Sequence, residues 1–163
     1  LLGLDLLSKL GRLKITSRAL ELNPPLATRC DASIVVSRLD LNQRLVVTAQ
    51  LDRRITHAII DTGNVDYLTA SSPGRQLSHA QALTPGSSSV STHGNKRFQR
   101  FDGVLALQGN TMAVTYKYYP GFTIPPSLID GQYVPSILLG WRAFKDFELN
   151  LDLDSGRSCL NKI

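Results

Sequence analysis

The 163-residue sequence predicts a mostly β fold with one short helix near its C-terminus. Three observations carry that prediction. The β-formers Leu45-Val46-Val47-Thr48 and the run Ile55 to Ile60 flank Asp52-Arg53, which is the pattern of a hairpin. Leu149, Leu151 and Leu153 alternate with Asn150, Asp152 and Asp154, the period of a half-buried strand. Asp61-Thr62-Gly63 then follows directly on Ile55 to Ile60. A carboxylate at the end of an apolar strand needs a function there, because an unpaired ion in such surroundings is costly.

The elements follow in order. Leu1 to Gly11 is an apolar stretch opening with Leu-Leu-Gly, and Arg12 to Leu22 alternates as a strand or hairpin, Leu13 and Ile15 sharing one side. Asn23-Pro24-Pro25 breaks the pattern, since proline lacks an N–H and confines its neighbour to extended backbone; a boundary falls at residues 23–29. The hairpin Gln43 to Ile60 leads through the tripeptide to Val65, Tyr67 and Leu68. Ala70 to Leu77 reads as one helical turn, with Pro73 tolerated in its first turn. Ser78 to Ser91, Ser-rich and containing Thr84-Pro85-Gly86, reads as a loop. Val90 to Val104 reads as a hairpin with its tip at His93-Gly94-Asn95. Leu105 to Leu107 and Met112 to Tyr116 form another strand pair around Gln108-Gly109-Asn110. Tyr119 to Tyr133 holds three of the eight prolines and reads as a long loop. Ser136-Ile137-Leu138-Leu139-Gly140 is a short apolar run, and the spacing of large apolar residues from Trp141 to Phe147 predicts the short helix. Asp154-Ser155-Gly156 turns the chain toward Cys159-Leu160.

At 42% hydrophobic residues the chain fits one globular domain with a real core. The net charge is +5 and the pI about 9.5, but the cations are scattered, with Arg53-Arg54, Lys96-Arg97 and Arg100 the densest groups. They read as a solvated surface, and no nucleic-acid partner is expected. No apolar run approaches the roughly 20 residues that span a bilayer, so no membrane partner is expected. His57, His79 and His93 show no ligand spacing, so neither metal nor cofactor is expected. A serine hydrolase is set aside for want of a Gly-x-Ser-x-Gly element.

A hairpin, Asp61-Thr62-Gly63, a glycine-tipped hairpin, then Leu138-Leu139-Gly140 leading to a helix and a last strand: this order resembles the retropepsin-like aspartic proteases. The resemblance covers roughly Ser33 to Leu160. It implies a pepsin-lobe closed β-barrel with a flap hairpin and one short C-terminal helix. It also implies an aspartic-type endopeptidase in which Asp61 is half of a carboxylate dyad that activates a water. Thr62 would bond across to the partner loop, and Gly63 would place its N–H near the carboxylate. Asn64 stands where the family usually has Ala or Ser, and its amide can donate to a carboxylate. Asn64 with His93, Gly94 and Asn95 of the hairpin tip would bind substrate; the plain reading of that tip is a surface hairpin. The substrate is a peptide or protein. With one Asp-Thr-Gly in the chain, the second carboxylate must come from a homodimer partner or a homologous second lobe. The rival from another class is a non-catalytic lobe serving as a scaffold or peptide-binding module.

Leu1-Leu2-Gly3 looks like a second copy of the Leu138-Leu139-Gly140 element. Residues 1–22 then read as the tail of a preceding lobe, 23–29 as a linker and 30–163 as the lobe proper. An ordinary amphipathic helix and strand is the alternative. Cys30 and Cys159 sit at the two ends of the main domain, where terminal strands of this fold lie near each other. A disulfide, which suits a periplasmic or secreted protein, and two buried thiols both remain open.

Overall fold

The computed structural model describes residues 8–39, 42–76, 82–91, 94–124 and 135–163. The opening residues 1–7, the tip residue His93 and most of the proline-rich loop lie outside these. The strands are β1 (Leu13–Ile15), β2 (Leu20–Leu22), β3 (Ala32–Leu39), β4 (Asn42–Leu51), β5 (Arg54–Ile60), β6 (Leu68–Ala70), β7 (Ala82–Ser91), β8 (Gly94–Leu107), β9 (Asn110–Tyr118), β10 (Pro135–Leu139), β11 (Phe147–Leu151) and β12 (Ser158–Lys162). One short helix, α1 (Ser72–Gln76), follows β6.

These strands form one sheet in the order β2-β1-β11-β12-β3-β4-β5-β10-β6-β9-β8-β7. A further pairing of β4 with β8, at Gln50↔Ala106 and Leu51↔Leu105, closes β4, β5, β10, β6, β9 and β8 into a ring. Asp52 and Arg53 both take positive φ between β4 and β5, the backbone of a tight hairpin turn whose twist matches its strands. Asp52 also ties that turn to the facing strand. Its N–H donates to the Val104 carbonyl at 2.8 Å, and its Oδ1 accepts the Val104 N–H at 2.7 Å. Gln108 and Gly109 do the same conformational work between β8 and β9.

Period-two alternation decides which face each strand buries. Leu45, Val47, Ala49 and Leu51 of β4 enter the main core with Ala58 and Ile60, Leu105 and Leu107, Ile137 and Leu139. Val46 and Ile59 point the other way, into a smaller cluster with Ile124. Tyr116, Phe144 and Phe147 are the largest fully buried side chains.

Two expectations change. The short helix expected between Trp141 and Phe147 is a single 3-10 turn over Trp141–Phe144. Phe147 already opens β11, which leaves no room for a longer helix. Few residues separate β10 from β11, and the Ala143 N–H already bonds the Gly140 carbonyl at 3.0 Å. From Ala82 onward the Ser-rich run expected as a loop is strand β7, paired along β8 from Ala82↔Phe101 to Ser91↔Gly94, while residues 78–81 lie outside the described residues. Thr84-Pro85-Gly86 is absorbed as an irregularity, where the register shifts between Ala82 and Thr84 and again between Thr84 and Ser87. Proline is tolerated there because β7 is an edge strand, with β8 as its one neighbour among the described residues.

The β1–β2 hairpin does not stand apart. β1 pairs antiparallel with β11, and Leu13 is completely buried.

Candidate functional site

β5 delivers Asp61 to the surface. Its strand neighbour β10 runs parallel, with Leu138↔Ile59 and Leu139↔Ile60, and pairs antiparallel with β6 on its other side. The ladder continues past the end of β5, because the Asp61 N–H donates to the Leu139 carbonyl at 2.8 Å. The chain then turns tightly: the Asn64 N–H reaches the Asp61 carbonyl at 3.0 Å, and the Gly63 N–H reaches Asp61 Oδ1 at 3.1 Å. That second bond is an Asx-type contact that orients the carboxylate. Asp61 is half-buried, while Thr62 and Gly63 are exposed.

Leu138-Leu139-Gly140 closes the loop from behind. The Gly140 N–H donates to the Tyr67 carbonyl at 2.9 Å, and the Trp141 N–H donates to the Asn64 carbonyl at 2.7 Å. A Cβ on Gly140 would lie 2.0 Å from the Asp66 carbonyl oxygen and 2.6 Å from that of Asn64. Two backbones therefore cross at a separation only glycine permits. Asp61 and Leu138-Leu139-Gly140, about 75 residues apart in sequence, are one structural unit.

Asn64 ties the loop to β6. Its Nδ2 donates to Thr69 Oγ1 at 3.1 Å, and its Oδ1 accepts the Asp66 N–H at 3.1 Å. Gly94 and Asn95 begin β8, opposite Ser91 and Val90.

Sequence reasoning missed Asp66 and Lys117. Lys117 Nζ lies 2.7 Å from Asp66 Oδ2 and 5.0 Å from the centre of the Phe98 ring, and Phe98 in turn packs at 5.6 Å against Tyr119. This chain of contacts connects the Asp61 loop to the β7–β8 hairpin. The two charges lie far apart in sequence and only the parallel pairing of β6 with β9 brings them together, so no local signal reveals the pair.

Behind β5, Thr56 and Ser136 share a buried hydroxyl–hydroxyl bond, and Ser71 Oγ donates to the Ser136 carbonyl at 2.6 Å. Ser71 Oγ also caps α1, accepting the Gly74 N–H at 3.2 Å. His57, half-buried on β5, is held below the ordinary imidazole range by burial. No group of acidic, histidine and cysteine side chains among the described residues has the makings of a metal site.

Cys30 and Cys159 form a disulfide, which selects between the two open readings. It fastens the segment before β3 to β12. Beside it, Asp31 accepts the Lys162 N–H at 2.9 Å and pairs with Arg29; these two contacts, the backbone one first, hold its carboxyl below the usual range. A cavity of about 380 Å³ lies at this end, lined by Arg12, Pro24, Leu26, Cys30, Asp152 and Arg157 among others, and no residue of the Asp61 loop borders it.

No protein-family profile matches the chain, and no curated protein matches its sequence. Among solved structures, EIAV protease complexed with the inhibitor HBY-793 is similar at 13% identity and a TM-score of 0.49, over 67% of this chain and 92% of that one. A retropepsin-like aspartic protease from Rickettsia conorii is similar at 14% identity and a TM-score of 0.49, over 85% of this chain and 98% of that one.

Proposed function

We propose that the chain is one lobe of a retropepsin-like aspartic endopeptidase, with Asp61 as one member of a carboxylate dyad. The observation that supports this is the clasp around Asp61: a strand-end carboxylate oriented by the Gly63 N–H and backed by a Leu-Leu-Gly crossing that tolerates no side chain at Gly140. An ordinary Asp turn needs no such buttress.

In this reading two carboxylates close together share one proton, because both cannot ionise easily at that distance. The ionised member takes a proton from a bound water, whose oxygen attacks the peptide carbonyl carbon. The protonated member polarises the carbonyl oxygen, and a proton then passes to the leaving amine as the C–N bond breaks. Thr62 is exposed beside Asp61, and its hydroxyl would bond across to the partner loop. The β7–β8 hairpin serves as the flap, with backbone groups at His93, Gly94 and Asn95 holding the substrate's main chain and limiting water access. The role of Asn64 is to shape the loop. Residues 1–22 are the tail of a preceding lobe and 23–29 a linker. The disulfide suits a periplasmic or secreted setting.

The test uses the chain alone at rising concentration, and a duplicated chain in which residues 23–137 are repeated ahead of Leu1 so that two Asp-Thr-Gly loops share one polypeptide. Each is incubated with a denatured protein between pH 4 and 7. Acid-favoured cleavage is expected, blocked by a transition-state-like inhibitor of aspartic proteases and lost in Asp61→Asn. Cleavage unchanged by that substitution overturns the dyad. No cleavage by either form favours the non-catalytic lobe.

A further inference from the structure

Residues 24–30 form a strap over β1, β11 and β12, and it is fastened at its two ends. At the first, the Asn23 N–H donates to the Arg12 carbonyl at 2.7 Å, and Arg12 Nε donates to the Pro24 carbonyl at 3.1 Å. At the second, Asn161 Nδ2 donates to the Arg29 carbonyl at 3.0 Å and Asn161 Oδ1 accepts the Asp31 N–H at 2.9 Å. The bond from Cys30 to Cys159 completes that end. Between its anchors the strap borders open space on two flanks. Pro24 to Ala27 line both the cavity of about 380 Å³ and a second hollow of about 410 Å³.

The two halves of the disulfide differ in setting. Cys159 sits inside the sheet, opposite Asn150 of β11 and Ser33 of β3, and is half-buried. Cys30 lies outside any strand and is exposed. Both line the first cavity, whose volume falls in the range of about 300–1,000 Å³ usual for small-molecule sites. A disulfide there is an electrophile in a pocket wall, open to a thiolate at whichever sulfur is accessible. The same wall carries two guanidinium groups, Arg12 and Arg157, against one carboxylate, Asp152, whose Oδ1 already accepts the Ser155 N–H at 3.0 Å. Arg157 stands two residues before Cys159, the spacing that puts both side chains on one side of an extended chain. An incoming anion therefore meets a surplus of positive charge beside the bond.

We propose that the first cavity receives an anionic low-molecular-weight thiol, which exchanges with the Cys30–Cys159 disulfide and releases the strap from β12. The thiolate attacks Cys30 Sγ and forms a mixed disulfide there, while the Cys30–Cys159 bond breaks with its electron pair leaving on Cys159 Sγ. Arg157 is the counter-charge for that thiolate until it takes a proton from solvent. A second thiolate then attacks the ligand's sulfur in the mixed disulfide, which returns Cys30 as a thiolate and yields the ligand's own disulfide. The sequence runs backward when that disulfide is in excess. These steps do not pass through Asp61, so the proposal stands apart from the protease reading.

The experiment follows opening of the disulfide in the folded full chain by acid quench and mass spectrometry. The probes are 3-mercaptopropionate, 2-mercaptoethanol and cysteamine, an anionic, a neutral and a cationic thiol. Each rate is divided by that of the same thiol with the urea-unfolded chain, which keeps the bond but not the cavity, so intrinsic nucleophilicity cancels. The normalised rate should be about fivefold higher for the anion than for the neutral thiol, the effect of one net charge at contact distance, and lowest for the cation. High salt and Arg157→Gln should each shrink that preference. Peptide mapping should place the first adduct on Cys30, and in that adduct the Asp31 amide should exchange about tenfold faster, relative to Ile59, than in the intact chain. Equal normalised rates for the three thiols overturn the proposal, because exchange would then ignore charge or proceed only through unfolded chain. So do a first adduct on Cys159, no adduct from the folded chain, or an Asp31 amide as protected as before.

Discussion

The Asp61 N–H donates to the Leu139 carbonyl at 2.8 Å, so the last ladder bond between β5 and β10 belongs to the residue proposed as half of the dyad. The position of that carboxylate is therefore set by the parallel strand beside it as much as by its own loop.

Gly140 is where this coupling is least tolerant. In Gly140→Ala the new methyl group meets two backbone carbonyl oxygens, neither of which can rotate away. Overpacking of this kind costs about 1–3 kcal/mol, and a clash with main chain belongs at the upper end. Denaturant unfolding of the variant should show a loss of that size together with displaced Asp61 and Asn64 amide resonances. Wild-type stability and an unchanged spectrum would refute the crossing.

The Asp66–Lys117 pair should couple the loop to the flanking hairpin. Both side chains are partly shielded, at 28% and 21% exposure. A double-mutant cycle with Asp66→Asn and Lys117→Met should give a coupling of about 0.5–1 kcal/mol that shrinks in high salt. A coupling near zero at low salt would show that the two charges do not sense each other.

The site and its frame differ in how much the sequence discloses. Asp61-Thr62-Gly63, the hairpin before it and Leu138-Leu139-Gly140 were legible because each is a local pattern: turn residues between β-formers, or an apolar run ended by glycine. β7 was not, because Thr84-Pro85-Gly86 reads as loop chemistry and only pairing with β8 makes it a strand. The 3-10 turn at Trp141–Phe144 was not, because its apolar spacing also fits an α-helix; the shortness of the link, which must enter β11 at Phe147, decides it. Asn64 was identified as a donor, but its actual acceptor, Thr69, depends on where β6 returns.

His57 gives a pH dependence whose sign follows from its burial. Its folded-state value lies below the ordinary 6.5, so the unfolded chain binds more protons at mildly acidic pH. The contribution is complete above about 6.5 and is lost as pH falls from there through the folded value. Stability should decline across that window, and His57→Gln should flatten the decline. An equal slope in both proteins would remove His57 as the cause.

The disulfide joins residues 129 apart, and closing so long a loop restricts the unfolded chain. Reduction, or Cys30→Ser with Cys159→Ser, should cost about 2–5 kcal/mol and lower the melting temperature. Identical melting with and without reductant would show that the bond is not formed.

The most direct measurement is cleavage by the duplicated chain, with Asp61→Asn placed in the first copy, the second copy or both. The account predicts that any one substitution abolishes acid-favoured hydrolysis while leaving the fold intact by circular dichroism. Full activity in a singly substituted protein would contradict it, because a water held between two carboxylates cannot be activated when one of them is gone.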